Sequence, residues 1–296
     1  MNPILKSIIH KQRRDFERLC SGRHIPEQVL EGVWEERNIR YADDGDPAHV
    51  MDLFYPNTLK LPAPVIINIH GGGLITGSKD FNRHFCIRLC QMGFIVFSVE
   101  YRLCPEVTFF QQLEDIYAAM NRIDGMIPEL KAAPGQCFMV GDSAGALLAM
   151  YAAAIQRNPE LAGTADIRPS YLEIRALGLI SGMFYTTKLD KIGLVMPKVF
   201  YGAHYRKHPF YPYLNPNKEA VAMYLPPCLL TTSKHDSLRS YSYCMTEAIR
   251  LQDVPCILYD YGNDPDLTHA FSVFAPEHPK SREVIEDFAS FFMNHK

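Results

Sequence analysis

The stretch Cys137-Phe138-Met139-Val140-Gly141-Asp142-Ser143-Ala144-Gly145 decides how this chain is read. Four apolar residues lead into a serine set between two glycines, and Ala144 through Ile155 behind it is rich in alanine and leucine. This order predicts a short buried strand, a sharp turn and a helix. A serine at the apex of such a turn stands above the sheet, where its hydroxyl can act as a nucleophile. Glycine suits the flanking positions because the turn crowds the backbone, and a Cβ there would meet the neighbouring strand or helix.

A lone Gly-x-Ser-x-Gly is expected by chance in roughly one chain in ten of this length, so a second signal is needed. His70-Gly71-Gly72-Gly73 supplies it, directly behind the strand-like run Val65-Ile66-Ile67-Asn68-Ile69. Such a string is expected by chance in roughly a few chains per thousand. Its mechanical role is to present backbone N–H groups to a developing oxyanion, together with the N–H of the residue after the nucleophile, here Ala144.

An alcohol attacks poorly until a base takes its proton, so an acid and a histidine should follow. The strand-like run Cys228-Leu229-Leu230-Thr231-Thr232 leads to Asp236, just before a helix expected over about residues 238–251. Next come the strand Cys256-Ile257-Leu258-Tyr259-Asp260-Tyr261 and a polar loop holding His269. The order Ser143, Asp236, His269 is the one this arrangement requires. Asp264 and Asp266 are rival acids, but they sit in the loop before His269 and not at the preceding strand end. His278 and His295 lie in or beside the last helix. Asp142 is read as structural, and Glu114 with Asp115 as scaffold.

The chain resembles the hormone-sensitive-lipase-like branch of the α/β-hydrolases, mostly carboxylesterases of small acyl esters. The resemblance rests on His70 to Gly73, Gly141 to Gly145, Asp236-Ser237-Leu238-Arg239 and His269-Ala270-Phe271. It rests also on Tyr101-Arg102-Leu103-Cys104-Pro105-Glu106 followed by Leu113-Glu114-Asp115, and it covers about residues 50–290. It implies an oxyanion hole of Gly72, Gly73 and Ala144 beside the triad. Three places depart from the pattern: Leu74 stands where an aromatic is common, Ser237, Ser240 and Tyr241 replace a more usual Pro, Asp and Glu, and Val107 to Gln112 differs from a usual proline-rich string.

Composition agrees with an enzyme of this kind. The 296 residues are 47% hydrophobic, enough to bury a large α/β core. A net charge of −3 gives no long-range pull towards nucleic acid or acidic lipid. The longest apolar stretch, Leu147 to Ile155, is far short of the ~20 residues a bilayer span needs. No continuous apolar stretch of ~7–15 residues marks a leader at the start, so a cytoplasmic location is expected. Cys104, Cys137, Cys228 and Cys256 fall in or beside core strands and read as small apolar residues. Cys86 and Cys90 are one helical turn apart, a strained geometry for a disulfide. His204 and His208 lack nearby acidic ligands, so no metal is expected, and the serine chemistry needs no cofactor.

Strand-like and helix-like segments alternate from about Val65 onwards. The expected fold is therefore α/β, a central mostly parallel sheet with helices on both faces, as one α/β-hydrolase domain over residues 1–296 with a small cap or lid. Two segments decorate it. In residues 1–30, Leu5, Ile8, Ile9, Phe16 and Leu19 fall roughly on one helical face, which covers a core edge or forms part of a cap. Residues 183–225 hold Phe184, Tyr185, Phe200, Tyr201, Tyr205, Phe210, Tyr211 and Tyr213 with Lys198, Arg206 and Lys207 between them. They are expected as a lid or pocket wall. The expected partner is a small-molecule ester, with neither nucleic acid nor a membrane span, and a homodimer is left open. An amidase, formamidase or peptidase on the same triad, or a binding protein keeping the hydrolase shell, are the alternatives to a carboxylesterase.

Overall fold

The computed structural model describes residues 3–21, 25, 27–58 and 62–296, and the rest of the expected 1–30 segment lies outside them. Among these residues eight strands form one sheet: β1 (Val33–Arg40), β2 (Val50–Pro56), β3 (Ala63–Ile69), β4 (Ile95–Val99), β5 (Ala132–Asp142), β6 (Ile174–Ile180), β7 (Cys228–Thr232) and β8 (Cys256–Asp260). Their spatial order is β1-β2-β4-β3-β5-β6-β7-β8. β2 runs antiparallel to both β1 and β4, and every other neighbouring pair is parallel.

The helices are α1 (Pro3–Ser21), α2 (Arg83–Gln91), α3 (Phe109–Met126), α4 (Ala144–Arg157), α5 (Pro159–Ala165), α6 (Lys191–Val195), α7 (Pro197–Tyr201), α8 (Glu219–Ala222), α9 (Arg239–Arg250), α10 (Phe271–Phe274) and α11 (Pro279–Met293). Successive side chains of a strand point to opposite faces, so one strand feeds two cores. Val65, Ile67 and Ile69 of β3 join Cys137 and Met139 of β5 under α3, α4 and α9. Ile66, Phe138 and Val140 turn the other way, onto α2 and α11. Phe138 stacks there on Phe292, with ring centroids 4.8 Å apart. This two-sided burial explains why β3 and the second half of β5 read as apolar runs, broken in β3 only by Asn68.

Two helix starts are written in local chemistry. Thr108 caps α3 in a reciprocal box, taking the Gln111 N–H while the Gln111 side chain accepts the Thr108 N–H. Asn158 caps α5 ahead of Pro159 at its first position. α4 has no such signature, and Ala144 through Ile155 is buried on all sides. A helix with no polar face belongs in the middle of a core, and α4 is the one that carries the nucleophile turn.

The two decorations differ in part from the sequence reading. On α1, Ile9 is buried and Leu5 and Phe16 pack against the cores, but Ile8 and Leu19 are about half exposed. The inward stripe is therefore narrower than expected. Of the eight aromatics named above in 183–225, Phe184, Tyr185, Phe200, Tyr201, Tyr205 and Phe210 are interior and continue the α3–α4 core. Phe210 packs edge-on to Phe110 and Tyr151, and the Tyr151 hydroxyl donates to the Tyr213 carbonyl at 2.5 Å.

Candidate active site

Ser143 sits between β5 and α4 at φ 52° and ψ −113°, a backbone region that a residue with a Cβ rarely occupies. Its N–H donates to the Ile180 carbonyl at 2.8 Å, and its carbonyl accepts the Met183 N–H at 2.9 Å. β6 and the residues after it thus hold the turn in place. A Cβ on Gly145 would lie 2.0 Å from the Ile69 carbonyl oxygen, and one on Gly141 would lie 2.5 Å from the Gly145 backbone. Both glycines are required by close approach.

The three residues picked from chain order meet in space. His269 Nε2 is 2.9 Å from Ser143 Oγ, and His269 Nδ1 is 2.7 Å from Asp236 Oδ1. A parallel bridge between His235 and Thr268 lays the two supporting loops side by side. Asp236 is buried and well supplied with donors: Thr232 Oγ1 at 2.8 Å and the Leu238 N–H at 2.9 Å. Burial alone would raise its pKa. The hydrogen bond and charge of His269, with the Leu238 and Thr232 donors, outweigh that and hold the carboxyl below the ordinary value. Ala270, left-handed at φ 52°, donates its N–H to Ser181 Oγ at 3.0 Å and fixes the far side of the histidine loop. Neither rival acid, Asp264 nor Asp266, bonds to His269.

The glycine string forms a tight loop opposite the serine turn. Gly72 has φ 124°, and its carbonyl takes the N–H groups of Ile75 and Thr76. A Cβ on Gly72 would lie 1.9 Å from the Thr76 carbonyl oxygen. Among the described residues, the N–H groups of Gly72, Gly73 and Ala144 have no hydrogen-bond acceptor. Donors held free in this way, one of them at the positive end of α4, are suited to an incoming anion.

A buried polar network fixes that loop, and only part of it was read from the sequence. Both ends of the Gly71 residue are held: its N–H donates to Asp142 Oδ1 at 3.0 Å, and its carbonyl lies 2.8 Å from His70 Nδ1. Asn82 donates to the same Asp142 oxygen at 2.7 Å and to Asn68 at 3.3 Å. Burial pushes the Asp142 carboxyl above its ordinary value, against the hydrogen bond from Asn82. His70 Nε2 meets Glu100 at 3.0 Å, and Glu100 also accepts the Lys79 N–H at 3.0 Å. Burial would lower the His70 pKa, but the Glu100 charge and hydrogen bond raise it overall. Asp142 matches its structural assignment. Asn82 and Glu100 were missed, although an acid closing the buried β4 run beside His-Gly-Gly-Gly is a signal that could have been used.

Asp115 behaves as scaffold, pairing with Arg102 at 2.5 Å and His49 at 3.2 Å. α1 reaches this region through Arg13, whose Nε donates to the Ile75 carbonyl and whose Nη2 donates to the Cys104 carbonyl, each at 2.7 Å. Glu106 closes the contact at 2.6 Å. Among the described residues no group of three or more His, Cys, Asp or Glu side chains is arranged to hold a metal ion, and no helix is long and apolar enough to cross a membrane.

Comparison with known proteins agrees with this geometry. The chain is 27% identical over 266 residues to carboxylesterase NlhH of Mycobacterium tuberculosis, covering 88% of this chain and 82% of the relative. The crystal structure of esterase B from Lactobacillus rhamnosis superposes with a TM-score of 0.87 at 24% identity, over 98% of this chain and 93% of that one. A form of esterase B inhibited by a C4-C4 tributyrin phosphonate gives 0.87 at 25% identity, over 98% and 93% of the two chains. A hyperthermophilic esterase from Pyrobaculum calidifontis gives 0.72 at 21% identity, over 100% and 99%. The sequence model for the α/β-hydrolase fold matches residues 66–273, from the middle of β3 to α10, and so takes in both glycine motifs and all three residues of the relay. The chain belongs to the α/β-hydrolase fold family, in its hormone-sensitive-lipase-like carboxylesterase branch.

Proposed function

We propose that the protein is a serine carboxylesterase that hydrolyses short- to medium-chain acyl esters through Ser143, His269 and Asp236. The observation that carries this reading is the unbroken relay from Ser143 Oγ to His269 Nε2 at 2.9 Å and from His269 Nδ1 to Asp236 at 2.7 Å. In the first step neutral His269 takes the Ser143 proton as Oγ bonds to the ester carbonyl carbon. Asp236 keeps the ring in the tautomer whose Nε2 is free, and stabilises the imidazolium that forms. Gly72, Gly73 and Ala144 donate N–H groups to the oxyanion, each worth roughly 3–4 kcal/mol in the transition state. His269 then protonates the leaving alkoxide, and an acyl-Ser143 ester remains. A water molecule, deprotonated by the same histidine, releases the acid and restores the serine.

The acyl length rests on one further support: esterase B, 25% identical, was crystallised inhibited by a C4-C4 tributyrin phosphonate. In this reading α1 and residues 183–225 wall the substrate site as parts of a single domain. The test is hydrolysis of p-nitrophenyl esters from acetate to laurate. A maximum in kcat/KM between C4 and C8 is expected, and rates that keep rising to C12 would contradict it. Parallel p-nitroanilides should be cleaved far more slowly, and comparable rates would favour an amidase.

A further inference from the structure

Residues 187–211 carry Lys188, Lys191, Lys198, Arg206 and Lys207 against one acidic residue, Asp190, although the whole chain has a net charge of −3. Asp190 is already engaged. Its carboxylate accepts the Ile192 and Gly193 N–H groups, both at 3.0 Å, and the Tyr241 hydroxyl. Within this segment a cavity of about 550 Å³ opens between α6, α7 and the turn that follows. Lys198, His204, Arg206 and Lys207 line it, and among the described residues no aspartate or glutamate does.

The same cavity is also lined by Leu189, Leu194 and Val195, which are 91%, 69% and 52% exposed. Large aliphatic side chains left this open, two on α6 and one just before it, find no burial within the fold. The volume falls in the range of small-molecule sites, roughly 300–1,000 Å³. Cationic and aliphatic side chains lining one cavity describe the chemistry of the occupant.

We propose that this cavity binds an anionic amphiphile, with a carboxylate or phosphate seated on Lys198, Arg206 and Lys207 and a short apolar chain lying on Leu189, Leu194 and Val195. The ligand is either the acidic end of the esterase's own substrate or a separate amphiphile that is not cleaved. The binding does not depend on the hydrolytic reading, so the two can fail independently.

Calorimetric titration of hexyl phosphate into the full chain, the Ser143→Ala variant and a Lys198→Glu/Arg206→Glu variant tests it. One site is expected in the first two proteins, weaker at high salt, and weakened about tenfold or more by the charge reversal. Circular dichroism establishes that the variants are folded, and Lys198→Met/Arg206→Met replaces the double reversal if it is not. Equal affinity in the charge variants would overturn the proposal. So would binding to anionic phosphatidylglycerol vesicles without binding to monomeric hexyl phosphate. The source is separated by kinetics. A p-nitrophenyl half-ester of adipic acid should show a lower KM than p-nitrophenyl butyrate, lost in the charge variant, if the anion is part of the substrate. Hexyl phosphate binding without that KM difference assigns the site to a separate amphiphile.

Discussion

Asp142 accepts the N–H of Gly71 at 3.0 Å across 71 residues of sequence, tying the serine turn directly to the glycine loop. The two halves of the proposed oxyanion site are therefore set by one carboxylate, held in turn by Asn82. Asp142 touches no substrate in this scheme, and its work is alignment.

Asp142→Ala, which removes the acceptor oxygen, should lower kcat while leaving KM within about twofold. A hydrogen bond to a charged group is worth ~1.5–3 kcal/mol, which corresponds to roughly ten- to hundredfold in turnover. Steady-state kinetics on p-nitrophenyl butyrate reads it. Unchanged kcat in a folded variant would remove Asp142 from the alignment role.

Asp236→Asn should leave the fold intact and reduce kcat by about 10⁴-fold, because an amide favours the wrong imidazole tautomer. Rapid assay with an active-site titrant separates this loss from contamination by wild-type enzyme. Near-normal turnover would point to another acid.

Gly145→Ala should destabilise the protein by more than the ~1–3 kcal/mol of ordinary overpacking, since the added methyl would meet the Ile69 and His70 backbone at 2.0 and 2.6 Å. Denaturant unfolding of the soluble fraction measures it. A loss below about 1 kcal/mol would mean that α4 can move away from β3.

Stability should depend on pH in two windows. His70 is raised in the fold, so its contribution is complete below the unfolded value of ~6.5 and is lost as pH rises through the folded pKa. Asp236 is lowered, so its contribution is present above ~3.9 and is lost as pH falls through its folded pKa. Glu100→Gln removes the charge that raises the His70 pKa and should flatten the alkaline side. Thermal unfolding from pH 3 to 10 for both proteins checks this, and an unchanged alkaline slope in the variant would refute the His70 assignment.

The parts of the fold that the sequence disclosed are those with strong local chemistry. β3 and the second half of β5 are buried on both faces and read as apolar runs, and Gly141 and Gly145 mark a close approach visible in the letters alone. The order of Ser143, Asp236 and His269 along the chain led to three residues that the fold brings within hydrogen-bonding distance. The antiparallel pair β1–β2 was not foreseen. β1, Val33-Trp34-Glu35-Glu36-Arg37-Asn38-Ile39-Arg40, is a mostly exposed edge strand whose charges hide any alternation. The network of Asn68, Asn82 and Asp142 was only partly legible, because each residue taken singly suits a turn or a cap and its partners lie 14 to 71 residues away. In 183–225 the aromatics are mostly core, and they fall on a short helix, turns and loops with no one regular period.

The central claim is that Ser143 is a nucleophile made reactive by its surroundings. Intact-mass analysis after incubation with a fluorophosphonate, followed by peptide mapping, tests it most directly. One adduct per chain, on Ser143 and absent from Ser143→Ala, is the expected result. A folded wild-type protein that remains unlabelled, or that is labelled on another residue, would contradict it.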